Sequence, residues 1–343
     1  MSTMNSPAPA HSERQFTLGL LALDGAMLSS LAGPTDMLRV AQKLAELRDP
    51  ATPLRFRTSI VTARGMDALR CSGGLRIEGV FCEPSDPDVL LVPGSMHGSG
   101  SELIARMQQL QPEIDLLNSM FRRGVKLASS CSGAFLLGEA GLLDGRRATT
   151  AWWLDAVFRE RYPRAQLDIE KMIVEDGPIT TCGATSSVMS YVLKLIARIG
   201  GEDLAQQTAR ILLIDPDRQS QAPYISQALK EKPRHSLGER IEQILNKNLH
   251  ESLSVAHLAE QVGVSERSLL RHFKAQLGST PLEHIQHLRV ERAKALLETT
   301  HLSFDEIVER CGYSDSSSFR KLFKRATTLT PADYRERFRL RPH

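Results

Sequence analysis

One pattern of residues occurs twice in this chain, and the repetition narrows the fold more than anything else in it. Residues 303–338, SFDEIVERCGYSDSSSFRKLFKRATTLTPADYRERF, read as helix, tight turn, helix and third helix. Ser303 with Glu306 is a capping-box pair, each side chain placed to satisfy an orphan N–H at the helix start. Ile307, Val308 and Cys311 form an apolar face, and Gly312 permits a turn that bulkier residues resist. Ser314 or Asp315 can cap the next helix, whose Phe319, Leu322 and Phe323 point inward. Thr330-Pro331 with Asp333 opens a third helix. Residues 254–285, SVAHLAEQVGVSERSLLRHFKAQLGSTPLEHI, repeat this piece by piece. Ser254 matches Ser303, Leu258 matches Ile307, Gly263 matches Gly312, Phe273 matches Phe323 and Pro281 matches Pro331. The glycines stand 49 residues apart and the phenylalanines 50, so the second copy carries one inserted residue. Two unrelated helical hairpins in one bundle are the weaker reading of such a repeat.

Two helix-turn-helix units in one polypeptide can do what a dimer of single units does. The helix between them, Pro281 to about Glu298, offers Leu282, Ile285, Leu288, Ala293 and Leu296 for packing. At roughly 27 Å it can hold two reading helices about one DNA turn apart, roughly 34 Å. The first reading helix is expected over Ser265–Leu277, presenting Arg267, Leu270 and Arg271. The second is expected over Asp315–Ala326, presenting Ser316, Ser317, Arg320 and Lys321. Lys274, Lys324 and Arg325 lie further along and suit phosphates, which give affinity without sequence information. Residues 236–343 resemble the DNA-binding domain of the AraC/XylS family of bacterial transcription regulators, most clearly from Gly312 through Phe323 to Pro331 and Tyr334. The resemblance implies a double-stranded DNA operator and RNA polymerase as partners.

A chain of 343 residues is too long for one typical domain. Net charge is only +3, and residues 236–343, with 17 Lys and Arg against 14 Asp and Glu, hold all of it. The useful asymmetry is local: the reading helices are basic while their supporting helices carry the acids. Five scattered cysteines argue against a disulfide framework and for a reducing cytoplasm. Residues 1–15 lack the apolar core of a signal peptide and read as a disordered tail. No segment approaches the roughly 20 apolar residues that span a bilayer, so no membrane association is expected.

Upstream, short apolar runs alternate with helical text. Strands are expected at Phe16–Leu23, Leu54–Ala63, Asp88–Val92, Val125–Ser129, Gln166–Ile169, Lys171–Val174 and Ile179–Cys182. Helices are expected from Gly33-Pro34 to about Leu47, over Glu102–Arg122 with a break at Pro112, after Cys131, and over Thr185–Ile199 and Asp203–Ile214. Alternation of this kind implies a parallel sheet covered on both faces. The fold class is thus an α/β parallel-sheet, flavodoxin-like N-terminal domain (16–214) and an all-α C-terminal domain with two helix-turn-helix units (236–343). The polar, proline-bearing residues 215–235 read as the connection.

Residues 127–133, LASSCSG, set Cys131 between a buried strand and a helix start, where backbone N–H groups can lower a thiol pKa and hold an anion. With GLLDGRRATT at 141–150, residues 16–200 resemble the class I glutamine amidotransferase-like superfamily, which includes intracellular-protease and deglycase relatives. That superfamily serves its cysteine with a histidine about twenty residues on, where this chain has Ala151. Its acidic partner falls at Ser30. Neither can take a proton from Cys131, and His97, on the loop after the third strand, is the remaining candidate base. Joined to an AraC-type C-terminus, the domain resembles GlxA-type regulators, whose known members respond to arginine and to quaternary amines. The resemblance implies a catalytically inactive, dimerising sensor of a small metabolite that activates amino-acid or quaternary-amine metabolism genes. Its ligand site would comprise Gly94, Ser95, His97, Cys131, Ser132 and Trp152, one of whose neighbours in the Trp152-Trp153 pair could stack on a cation. No metal or cofactor is expected. A thiol-dependent amidase or deglycase tethered to DNA, and a Cys131 redox sensor, are the alternatives.

Overall fold

The structure is a computed structural model and describes residues 15–51, 54–78, 86–226, 241, 244–245, 255–274 and 279–339. The tail through residue 14, Ser254, the end of the first reading helix at 275–277 and residues 227–235 of the connection lie outside the described residues. The chain divides into two compact units, Met1–Ala151 with Tyr162–Gln219, and Trp152–Arg161 with Ser220–His343.

In the first unit β1 (Gln15–Leu21) is followed by α1 (Ser29–Arg48), β2 (Arg55–Val61) and a small hairpin of β3 (Ala68–Arg70) and β4 (Arg76–Glu78). Next come β5 (Val89–Val92), α2 (Gly100–Met107), α3 (Gln111–Arg122), β6 (Lys126–Ser130) and α4 (Gly133–Glu139). A two-residue strand β7 (Arg147–Ala148) precedes α5 (Asp155–Arg161), which groups with the second unit. β8 (Gln166–Leu167), β9 (Ile173–Asp176), β10 (Ile179–Cys182), α6 (Ser187–Gly200) and α7 (Glu202–Leu212) complete the first.

The main sheet runs β2-β1-β5-β6-β10-β9. Every pairing is parallel except β10 with β9, so the parallel expectation holds for five strands and fails at one edge. Asp176, Gly177 and Pro178 close a hairpin between β9 and β10, too short for the crossover that parallel strands need. All four residues of β5 and of β10 are buried. Since neighbouring side chains point to opposite faces, both faces of those strands are covered. Gln166–Leu167 pairs with Arg147–Ala148 in a separate two-stranded sheet rather than joining the main one.

The start of α1 differs from the sequence reading. α1 starts at Ser29, so Gly33-Pro34 lies inside it rather than at its start. Pro34 is the sixth residue of α1 and has no N–H to give the Ser30 carbonyl, so the helix runs through it with one backbone bond missing. Residues 102–122 form two helices, with Pro112 in the first turn of the second, as the break at Pro112 foretold.

The second unit contains α8 (Val255–Val262), α9 (Glu266–His272), α10 (Pro281–Thr299), α11 (Phe304–Arg310), α12 (Ser316–Thr327) and α13 (Pro331–Phe338). Two apolar cores share α10. Ile285 and Leu288 join Leu258, Leu269 and Phe273 in the first. Val290, Ala293 and Leu297 join Ile307, Phe319, Phe323 and Tyr334 in the second. Leu282, expected to pack, is instead 62% exposed. Leu296 packs at the margin of the second core.

Candidate functional site

The helix starts of the second unit are fixed by the side chains that precede them. Ser303 accepts from the N–H of Glu306 and Glu306 reaches back, closing the capping box the sequence announces. Thr330 and Asp333 close another. A third, Thr280 with Glu283, was legible as Thr-x-x-Glu but escaped the sequence reading, which saw only Pro281. Asp315, not Ser314, caps α12, its carboxylate accepting from the N–H groups of Ser317 and Ser318 at 2.9 and 3.1 Å. Those bonds hold the carboxyl of Asp315 below the ordinary carboxylate range, with the Ser318 hydroxyl the first cause.

With their inner faces buried, α9 and α12 turn matching positions outward. Arg267, Leu270, Arg271 and Lys274 are exposed, and so are their counterparts fifty residues on, Ser317, Arg320, Lys321 and Lys324. Arg325 is exposed and Ser316 half-buried. Among the described residues none of these seven cations takes part in an ion pair. Arg320 lies over the ring of Phe304, 4.6 Å from its centroid, which restrains a long side chain without neutralising it. Two exposed helix faces carrying uncompensated charge, in one register, suit a polyanion with a repeating groove.

The cysteine of the first unit stands at a strained elbow. Cys131 is a non-glycine residue in the left-handed region, φ 54°, a conformation that costs free energy and is held by its surroundings. Its N–H donates to the carbonyls of Cys182 and Gly183 at 3.1 and 2.8 Å. Its own carbonyl accepts from the hydroxyl of Thr150 at 2.9 Å. Gly94 closes against it: a Cβ added there would stand 2.9 Å from the Cβ of Cys131 and 3.1 Å from the carbonyl oxygen of Ser130, so only glycine fits.

Burial outweighs every other influence on the thiol. Cys131 is 2% exposed, and desolvation raises its pKa against the opposing bonds from Ser132 and Thr185. The sequence-based expectation of a lowered thiol pKa is therefore reversed, because the side chain is enclosed before the helix start can act on it. The Thr185 hydroxyl donates to the thioether of Met27 at 3.1 Å. Neither partner is a base.

The other expected ligand residues are placed as follows. Ser95 and Ser132, both buried, face each other: the Ser95 N–H donates to the Ser132 hydroxyl at 2.9 Å, and that hydroxyl donates back to the Ser95 carbonyl at 3.1 Å. The N–H of Ser95 is thus engaged within the protein. His97 is half-buried and bonds through Nδ1 to the Ser95 carbonyl at 3.1 Å, which requires the proton on Nδ1. It makes no bond to Cys131. Ala151 is fully buried and brings only a methyl group. Ser30 and Ser130 are buried with hydroxyls that lack a partner among the described residues. Trp152 is buried, meets Trp153 edge-on at 5.3 Å, and groups with the second unit. Met27, Thr150 and Thr185 were missed by sequence reasoning. They meet the elbow from distant parts of the chain, and no local spacing announces them.

The family model described as DJ-1/PfpI family matches residues 30–198, and one described as helix-turn-helix domain matches residues 258–337. The HTH-type transcriptional regulator GbdR of Pseudomonas aeruginosa is 28% identical, over 98% of this chain and 88% of that protein. CdhR, an HTH-type transcriptional regulator from the same species, is 29% identical over 92% of this chain and 90% of its own length. The HTH-type transcriptional regulator GlxA of Rhizobium meliloti is 26% identical over 96% of this chain and 98% of its length. The chain therefore joins a DJ-1/PfpI, class I glutamine amidotransferase-like domain to an AraC-type helix-turn-helix domain in one polypeptide.

Proposed function

We propose that this protein is a sequence-specific DNA-binding transcription regulator whose first unit senses a small metabolite without transforming it. The observation that carries the reading is the pair of exposed, unpaired basic faces on α9 and α12, held in one register by α10. Arg271 and Lys321 read base edges in the major groove, and Lys274, Lys324 and Arg325 hold phosphates. Relatives matched along most of the chain bear the names of HTH-type transcriptional regulators.

The sensing role rests on the elbow. A protonated, enclosed thiol whose neighbours are Ser132 and Thr185 has no base to activate it, which favours binding over acyl transfer. The unpaired hydroxyls of Ser30 and Ser130 would gain partners from a ligand with hydrogen-bonding groups. In this reading the ligand is an amine or amino acid, the regulator an activator that engages RNA polymerase as a homodimer in the cytoplasm, and the sensing domain spans 16–214. Among the described residues no helix is long and apolar enough to cross a membrane.

The test is a titration of the full chain against a duplex it selects from a random pool, compared with the Arg271→Ala, Lys321→Ala double variant. Loss of preference for the selected sequence, with binding to unrelated duplex retained, supports the reading. Unchanged preference contradicts it.

A further inference from the structure

The stretch of chain that leaves the first unit does not run free to the second. Within the first unit the carbonyl of Gln219 accepts from the N–H of Met172 at 3.4 Å. Three residues later the chain is already part of the second. Residues 222–224 make a single turn of 3-10 helix with Ala222 and Pro223 buried, packed against α12. The ring of Tyr224 meets that of Phe338 edge-on, with centroids 5.1 Å apart, and the Arg337 guanidinium lies 5.8 Å from the Tyr224 centroid. The carbonyl of Ile225 accepts from Nζ of Lys294.

That last bond matters most, because Lys294 is 5% exposed. An enclosed ammonium must find its hydrogen-bond partners inside the protein, since an unpaired buried charge is strongly disfavoured. Nζ finds Glu291 at 2.9 Å and the ring of Tyr334 at 5.9 Å, and the Ile225 carbonyl supplies the remaining bond. The segment therefore helps to solvate a buried charge of the second helix-turn-helix unit. Among the described residues it contacts α10, α12 and α13, three of the four helices around the second core.

We infer that Ala222–Ile225 is a coupling strap, through which the first unit acts on DNA binding at the second reading helix, α12, and not at α9. The inference rests on the regulator reading, and it adds where regulation enters the DNA-binding unit. A change that moves Gln219 pulls on a segment seated against α12. Tyr224 and Lys294 are positioning residues in this device and touch no DNA.

The test uses the full chain, the duplex it selects and hydroxyl-radical footprinting. In Tyr224→Ala and Lys294→Met, protection of the half-site read by α12 should weaken by about tenfold or more, the order of one lost base contact. The half-site read by α9 should keep its protection, and Tyr224→Phe, which retains the ring, should give the wild-type footprint. Unaltered protection, or equal weakening of both halves, overturns the strap. Amide hydrogen exchange of the wild-type chain supplies an arm that needs no variant: the amides of Ala222, Tyr224 and Ile225 should exchange slowly, and exchange as fast as in an unstructured peptide overturns the inference outright. A chain that selects no duplex contradicts the regulator reading instead, and the exchange arm still decides the strap.

Discussion

The hydroxyl of Thr150 donates to the carbonyl of Cys131 across 2.9 Å. The next residue, Ala151, is fully buried and brings only a methyl group. The turn at 150–151 thus gives the elbow a hydrogen bond to the backbone that holds the sulfur. The elbow holds Cys131 in the left-handed region and encloses its thiol, whose pKa burial raises. Next to Cys131, Ser130 keeps a buried hydroxyl without a partner among the described residues, and that hydroxyl is the proposed ligand contact.

The thiol of Cys131 should alkylate slowly at neutral pH. Burial raises its pKa, so the rate should still be climbing above about pH 9, past the ordinary thiol range. The same shift links pH to stability. A group whose folded pKa is raised contributes stability below its unfolded pKa and loses it as pH rises through the folded value. Cys182, fully buried, shifts the same way. Peptide mass spectrometry after timed iodoacetamide labelling reads the first effect, and a midpoint below pH 8 would contradict it.

Ligand binding should not need the sulfur. A melting screen of amino acids and quaternary amines should raise the melting temperature of wild type and Cys131→Ala alike, with a stabilisation of about 2.7 kcal/mol at a hundredfold excess over Kd. Ser130→Ala should weaken binding of the same compound, because the unpaired hydroxyl it removes is a proposed contact. Turnover of glutamine, dipeptide or glyoxal that disappears in Cys131→Ala would restore the enzyme reading.

Base readers and phosphate holders should separate on mutation. Arg271→Ala and Lys321→Ala should each cost about 1–3 kcal/mol on the selected duplex and relax its sequence preference. Lys324→Ala should weaken binding to all sequences and flatten the salt dependence. Gel-shift titrations at two salt concentrations distinguish them, and a Lys324→Ala variant that loses only sequence preference would reverse the assignment.

Removing one cap should show a defined pH dependence. Ser303→Ala should cost about 1 kcal/mol at pH 7. The Glu306 carboxyl is held below its ordinary range, first by the Ser303 hydroxyl and then by the Ser303 N–H. Because its folded pKa is depressed, the box stabilises above the unfolded value, about 4.3, and that contribution fades as pH falls through the folded one. The gap in melting temperature between wild type and variant should therefore narrow below about pH 4. A constant gap down to pH 3 would mean that the hydroxyl acts without the carboxylate.

What the sequence disclosed and what it withheld divide by distance along the chain. Ser303 with Glu306, and Phe319 with Phe323, are local patterns, and the repeat made each of them visible twice. The direction of the Cys131 shift was not legible, because helix-start chemistry is written locally whereas enclosure by Gly94, Thr150 and Thr185 is not. The polar text at 220–225 hid its role for the same reason. Tyr224 looks like a residue of a connection until Phe338, more than a hundred positions away, supplies its partner. The antiparallel edge at β9 was signalled by Gly177-Pro178 between two short runs, a turn too tight for a crossover.

In the proposed regulator two reading helices engage one DNA molecule together. Selection of duplexes from a random pool by the full chain, followed by footprinting of the winners, tests this most directly. Two protected segments on one face of the duplex should appear, with centres about 10 base pairs apart, and Arg271→Ala and Lys321→Ala should each erase preference in a different one. A single protected segment, or a pool that never enriches, would contradict the claim that α9 and α12 read DNA as a pair.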